Sequence, residues 1–403
     1  MWDNGSGKTN EKTRFNLGGG SKPSSSSSNS QQKETTRIKG EKGEATESAI
    51  LTGIQESNEN ESSSSIIGQK EENPIEIDGP NEIRSVAFLE DGQHVVSGGS
   101  EGRIRRWQVK DGKEVGTTMR AWSAIWSIAV SRDGKWIVSG TSSGQVTVWN
   151  AKTHELVTKF KGHDDTVCAV DVSPDATKIV TGSRDRTASV WSLSTRQRLL
   201  GPFEHHNWVS AVKFSPDGHL IATATFQRKS VRIYDSQDGR RLVDFSIEVP
   251  SFNRQSLAWV SDSKQLFVLS EHDGNIHCLD VSTQTTLFKW SIHSNNTPKC
   301  ISMASNGTFI AASADSSVSF WDTVTHERIG SVVQHPAHIE SMAISANYDL
   351  VTGAGKKIIL RNLRDILPSS YFDDVSVPVS KGRCVECLIQ FTTTDVRNPA
   401  HEG

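Results

Sequence analysis

Across 403 residues, 44 Lys and Arg against 47 Asp and Glu leave a formal net charge of -3, which gives no electrostatic footprint for direct nucleic-acid or anionic-membrane contact. Hydrophobic residues are only 34% of the chain, so part of it is expected outside any packed core. Five scattered cysteines (Cys168, Cys278, Cys300, Cys384, Cys387) read as reduced thiols rather than a disulfide framework; Met1–Lys8 lacks the apolar stretch of a secretory signal, and no run approaches the ~18 apolar residues of a membrane span. A cytoplasmic or nuclear location, or both, is the expectation.

In chain order, residues 1–73 come first as a serine-rich segment, with runs at Ser24–Ser28 and Ser62–Ser65, mixed charge and few large apolar side chains. Such a composition cannot offset the entropy of ordering and predicts a disordered tail. Within it, Gly5-Ser6-Gly7-Lys8-Thr9 has the ending of a phosphate-binding loop, but the glycine that motif needs at position 2 is Trp2 and no strand signal precedes it. Trp2-Asp3-Asn4-Gly5 copies the end of the repeat described below, as a coincidence or as a remnant of a lost unit.

From residue 74 the texture changes to short β-branched runs separated by Asp-Gly, Ser-Gly and Pro-Asp turns, the pattern of an all-β repeat fold. The segment from Phe160 through His163 to Ser173-Pro174-Asp175 recurs about 42 residues on at Glu204-His205 and Ser215-Pro216-Asp217. About 42 residues back it meets Ser131-Arg132-Asp133. The strands that follow match as well: Ile137-Val138-Ser139-Gly140, Ile179-Val180-Thr181-Gly182 and Ile221-Ala222-Thr223-Ala224. An aromatic residue closes most units, as Trp107, Trp149, Trp191, Tyr234 and Trp321. Seven units fit between residues 77 and 367, and residues 368–403, with Pro368, Pro378 and Pro399, read as a second, irregular tail.

This period, with its closing Trp-Asp, resembles the WD40-repeat family, and the resemblance implies an all-β, seven-bladed β-propeller over residues 74–367. It also implies that Pro74-Ile75-Glu76-Ile77-Asp78 completes the last blade and closes the ring. In the third unit it implies a structural tetrad of His163, Thr181, Asp185 and Trp191, the imidazole linking a buried carboxylate to the hydroxyl and the indole. Elsewhere the set is incomplete. Gly79 and Ala121 stand in the histidine position of units one and two, while Glu101, Ser143 and Gln227 stand in the aspartate position of units one, two and four. Unit five keeps Asp273 but has Leu279 for Trp; unit six has Asp315, Trp321 and His293; unit seven has His335 and Thr352.

No catalytic or metal constellation assembles from the sequence. Cys384-x-x-Cys387 has no second pair, His335-x-x-His338 has no helix or neighbouring glutamate, and His326-Glu327 lacks a second histidine. The chain is therefore expected to be no enzyme and to use neither cofactor nor metal. The resemblance implies a scaffold or adaptor binding other proteins on the face where the repeat's loops ring a central channel. The repeat alignment places Arg84, Trp126, Arg184, Trp208, Phe226 and Arg254 there, residue types that dominate binding hot spots. They are expected to capture a peptide segment, acidic or phosphorylated; the alternative is that Trp126 and Trp208 are buried between blades and the arginines solvated. Two other roles stay open: a ubiquitin-ligase substrate receptor, although Trp321-Asp322-Thr323-Val324 lacks the arginine that role favours, and a histone-tail or chromatin-associated propeller. No membrane contact is expected.

Overall fold

In the computed structural model, which describes residues 74–226, 230–247, 255–270, 274–292 and 298–372, the β-branched runs become twenty-eight strands in seven four-stranded antiparallel sheets. Six sheets are consecutive in sequence, spanning residues 83–120, 125–161, 167–204, 209–245, 257–291 and 298–334, and are called blades 1 to 6. The seventh joins three strands of residues 339–362 to the strand Ile75–Asp78. The first strand of every blade packs against the first strands on both sides, so the seven inner strands form a closed ring. The result is a seven-bladed β-propeller.

The strand burial follows from this geometry. A middle strand such as Lys178–Ser183 is covered on both faces by neighbouring blades and is buried almost throughout. The outermost strand Leu156–Lys161 keeps one face in solvent and alternates, which matches its alternating Leu-Val-Thr-Lys-Phe-Lys. The core is accordingly divided into seven apolar clusters, one in each gap between adjacent blades. Each fully buried Val, Ile or Phe in them contributes roughly 1.5 to 3 kcal/mol. This packing explains why the ring tolerates incomplete tetrads.

Two sequence signals acquire physical causes. The Ser-Pro-Asp and Ser-Arg-Asp turns are held from within: Ser173 Oγ donates to Asp175 Oδ1 (2.5 Å), which also accepts from the Thr177 N–H (3.1 Å). The Ser-Gly and Thr-Gly pairs mark close approach. A Cβ on Gly140 would sit 2.6 Å from Val167 Cγ1, and one on Gly182 2.6 Å from Val209 Cγ1, both on the inner strand of the next blade.

Ring closure uses Ile75 opposite Leu360 and Ile77 opposite Ile358, reinforced by an ion pair between Lys357 and Glu76. Packed structure then continues beyond Leu367, the expected end of the propeller. Leu363, Leu367 and Phe372 are buried in the cluster between blades 6 and 7. Tyr371 Oη donates to Asp322 Oδ2 (2.9 Å), and Asn306 Nδ2 donates to the Tyr371 carbonyl (2.9 Å). Residues 1–73 and 373–403, with Trp2, Cys384 and Cys387, lie outside the described residues, as do Gln227, Arg254, Asp273 and His293.

Candidate partner-binding face

The tetrad residues of blade 3 form one continuous chain of hydrogen bonds. His163 Nδ1 meets Asp185 Oδ2 at 2.8 Å, its Nε2 meets Thr181 Oγ1 at 2.7 Å, and Trp191 Nε1 donates to Thr181 Oγ1 at 2.8 Å. Thr187 adds donations to Asp185 Oδ1 from its hydroxyl (2.7 Å) and its N–H (2.9 Å). Burial alone pushes the Asp185 carboxyl up; the hydrogen bond and charge of His163, with the Thr187 donors, outweigh it and hold the group well below the usual carboxylate range. This network pins the loop before blade 3 to its own blade.

Other blades replace parts of the network in ways the motif does not announce. In blade 1, Trp107 Nε1 donates to Ser97 Oγ (2.7 Å), while Arg105 Nε donates to the Glu101 carboxylate (3.0 Å). In blade 2 the Trp149 indole donates to Thr147 Oγ1 (3.0 Å) instead of Ser139, and Ser139 hydrogen-bonds Thr147. In blade 4, where the sequence has Gln227 in place of the aspartate, an arginine from the third strand meets the histidine instead: Arg232 Nη1 donates to His205 Nδ1 (3.4 Å) and its Nε to Asp244 (3.0 Å). Burial, then the Arg232 charge, pushes His205 down to about 3, so blade 4 uses a neutral imidazole. Arg105 and Arg232 occupy the same repeat position, facing Ser97 and Thr223 across the sheet. That recurrence was the available signal for them.

These anchored loops meet on one face. The N–H of the residue opening each central hairpin donates to the loop that enters the blade: Ser142 to the Ala124 carbonyl, Arg184 to that of Thr166, Phe226 to that of Trp208. Six of the seven inner strands, all but that of blade 5, also open with a β-bulge. The pairing Ile83–Gly99 and Ser85–Gly98 skips Arg84, and Ile125–Thr141 and Ser127–Gly140 skip Trp126. A bulge re-aims the side chain it frees, here at the loop end of the inner ring.

The side chains so placed stack on one another across four blades. Arg84 Cζ lies 4.6 Å from the Trp126 ring, and Arg184 Cζ lies 4.3 Å from Trp126 and 4.8 Å from Trp208. Trp208 in turn stacks on Phe226 with centroids 5.3 Å apart and planes at 15°. All five are half-buried. The tryptophans are therefore neither sealed between blades nor free in solvent, and the arginines are ordered against them. Arg84 also pairs with Glu82 at 3.2 Å. Each cation–π contact contributes about 0.5 to 1 kcal/mol at such exposure and removes rotamer freedom before a ligand arrives. An arginine held against aromatic rings keeps its planar fork of N–H donors, the group that suits bidentate contact with an oxyanion.

One residue on this face escaped the repeat alignment. Trp122, in the loop entering blade 2, is 57% exposed with φ at 60°, and Lys159 Nζ sits 4.4 Å from its ring. A bulky side chain held in the left-handed region is uncommon, and no residue type at position 122 advertises it.

The family model for the WD domain, G-beta repeat, matches residues 73–108, 112–150, 154–192, 197–235 and 284–322. Each matched segment ends one residue past a closing aromatic, Trp107, Trp149, Trp191, Tyr234 or Trp321; residues 236–283 and 323–362, where Leu279 and Arg361 take that place, lie outside the matches. No curated protein matches the chain.

Proposed function

We propose that this chain, which belongs to the WD40-repeat family, is a scaffold that captures an acidic or phosphorylated segment of another protein on the stacked face of blades 1 to 4. WD40 propellers are a general protein-interaction fold and are generally non-catalytic scaffolds. The observation that carries the finer reading is Arg184, held between Trp126 and Trp208. A cation fixed between two aromatic rings presents charge and apolar area together at low ordering cost, the composition of an interface hot spot. Arg84 extends the positive end of the row and Phe226 its apolar end.

The test compares affinity-purified partners of the wild type with those of a Trp126→Ala, Arg184→Ala, Phe226→Ala variant whose fold is checked by circular dichroism and melting. Loss of a discrete partner set from a folded variant supports the proposal. An unchanged set places binding on another face or in the tails and overturns it.

A further inference from the structure

From Trp122 we infer that the occupant of this face lies radially along blade 2, with its acidic group at the Arg84–Trp126–Arg184 stack and an apolar side chain on the outer tryptophan. This rests on the stack being the binding site and adds a second anchor and a spacing to it.

Three observations carry the inference. First, Trp122 is the one aromatic among the exposed large hydrophobics of the described residues, and its φ of 60° sets this bulky side chain in the left-handed region, where such residues are uncommon. Lys159 covers one face of the ring from the outermost strand of the same blade, which steadies the indole and leaves a second face. Second, the chain runs inward from Trp122 to Trp126, from the loop after one blade's outermost strand to the inner strand of the next. Four residues span at most ~14 Å, the reach of four residues of an extended ligand.

Third, blade 2 is a lane with a low floor. The bulky tetrad positions are Ala121 and Ser143 here, and the loops between the two tryptophans carry Ser123, Ala124 and Ser142, with Ser123 Oγ hydrogen-bonded to Ser142 Oγ at 2.7 Å. Charge sets the polarity of the occupant. The loop entering blade 3, packed against Gly144, carries exposed Asp164 and Asp165, which balance Lys159 over Trp122 and Lys161 on the Ser143 carbonyl at the outer end, while Arg84 and Arg184 make the inner end positive. An acidic group is attracted inward, and the outer anchor is apolar: an aromatic or large aliphatic side chain three or four residues from the acid.

The test pans a phage-displayed library of random dodecapeptides on the full chain and on two variants, Trp122→Gly and Arg184→Ala. Wild type should enrich peptides with Asp or Glu three or four residues from Phe, Tyr, Trp or Leu. Trp122→Gly should keep the acidic preference, lose the apolar one, and bind the wild-type consensus peptide at least about tenfold more weakly by calorimetry. Arg184→Ala should lose the acidic preference. Glycine and asparagine both accept the left-handed backbone, so Trp122→Asn serves as the second variant if Trp122→Gly melts early. The same consensus and affinity on wild type and Trp122→Gly overturns the outer anchor while leaving the stack intact. A wild-type consensus without acidic residues, or no enrichment on wild type, overturns both.

Discussion

Removing the Asp185 carboxylate should cost more stability than removing any other polar side chain of blade 3. The group accepts from His163 Nδ1, from the Asp164 N–H and from both donors of Thr187, at 2.7 to 3.1 Å. Asp185→Ala leaves an imidazole and three other donors without their acceptor, a loss of about 3 to 5 kcal/mol when hydrogen bonds to a charged group contribute about 1.5 to 3 kcal/mol each. For a propeller of this size that is a fall in melting temperature of roughly 6 to 10 °C. The loss has a pH signature. A carboxyl held below its ordinary pKa in the fold contributes fully above that ordinary value, near 4, and progressively less as pH falls toward the folded value. The gap between wild type and variant should therefore be flat from pH 7 to pH 5 and narrow by pH 3. Differential scanning calorimetry across that range, with Asp175→Ala in a surface turn as control, measures it. A variant melting within 2 °C of wild type at pH 7, or a gap unchanged at pH 3, refutes the claim that this network fastens the blade.

Three further outcomes follow from the packing and closure. Gly182→Val should destabilise by about 1 to 3 kcal/mol or more, because its Cβ would meet Val209 Cγ1 at 2.6 Å and Val212 Cγ1 at 2.9 Å; urea unfolding reads this directly. Wild type should lose stability as pH falls from 7 toward 4, since His205 is pushed down to about 3 and His335 to about 4 by burial, and their unfolded forms take up protons first. His205→Gln should flatten that slope in melts at successive pH values. Deleting residues 1–78 should expose the edge of the last blade and yield aggregates on size exclusion, while deleting residues 1–73 should leave a soluble ring.

The ring was legible in the sequence because its causes are local and repeated. The glycine that lets blades approach, the aspartate that closes each turn and the aromatic that caps each unit return at a fixed spacing. The tetrad of blade 3 was legible for the same reason. The arginines at 105 and 232 share a repeat position, but nothing local names their partners Glu114 and Asp244, which sit on or beside the outermost strands, where the repeat imposes no identity. Tyr371 and Phe372 lie in a stretch with no periodicity, and their burial depends on a notch between blades 6 and 7 that no local pattern encodes. The positions of Arg84, Trp126, Arg184, Trp208 and Phe226 could be placed on one rim, but their stacking is a distance between blades. Trp122 was silent because its role depends on a backbone angle.

The pairing of Glu76 with Lys357 joins residues 281 apart in the chain, and that separation sets a timetable for synthesis. At roughly 5 to 20 residues per second, a ribosome takes about 15 to 60 s to deliver the closing partner after the first strand has emerged. During that interval the inner strand Ile83–Phe88 has no blade 7 against which to bury Ile83 and Val86. The nascent chain is an open arc with one apolar flank, long enough for a chaperone to recognise. Its yield in the cell is therefore governed by how that flank is shielded as much as by the stability of the finished ring.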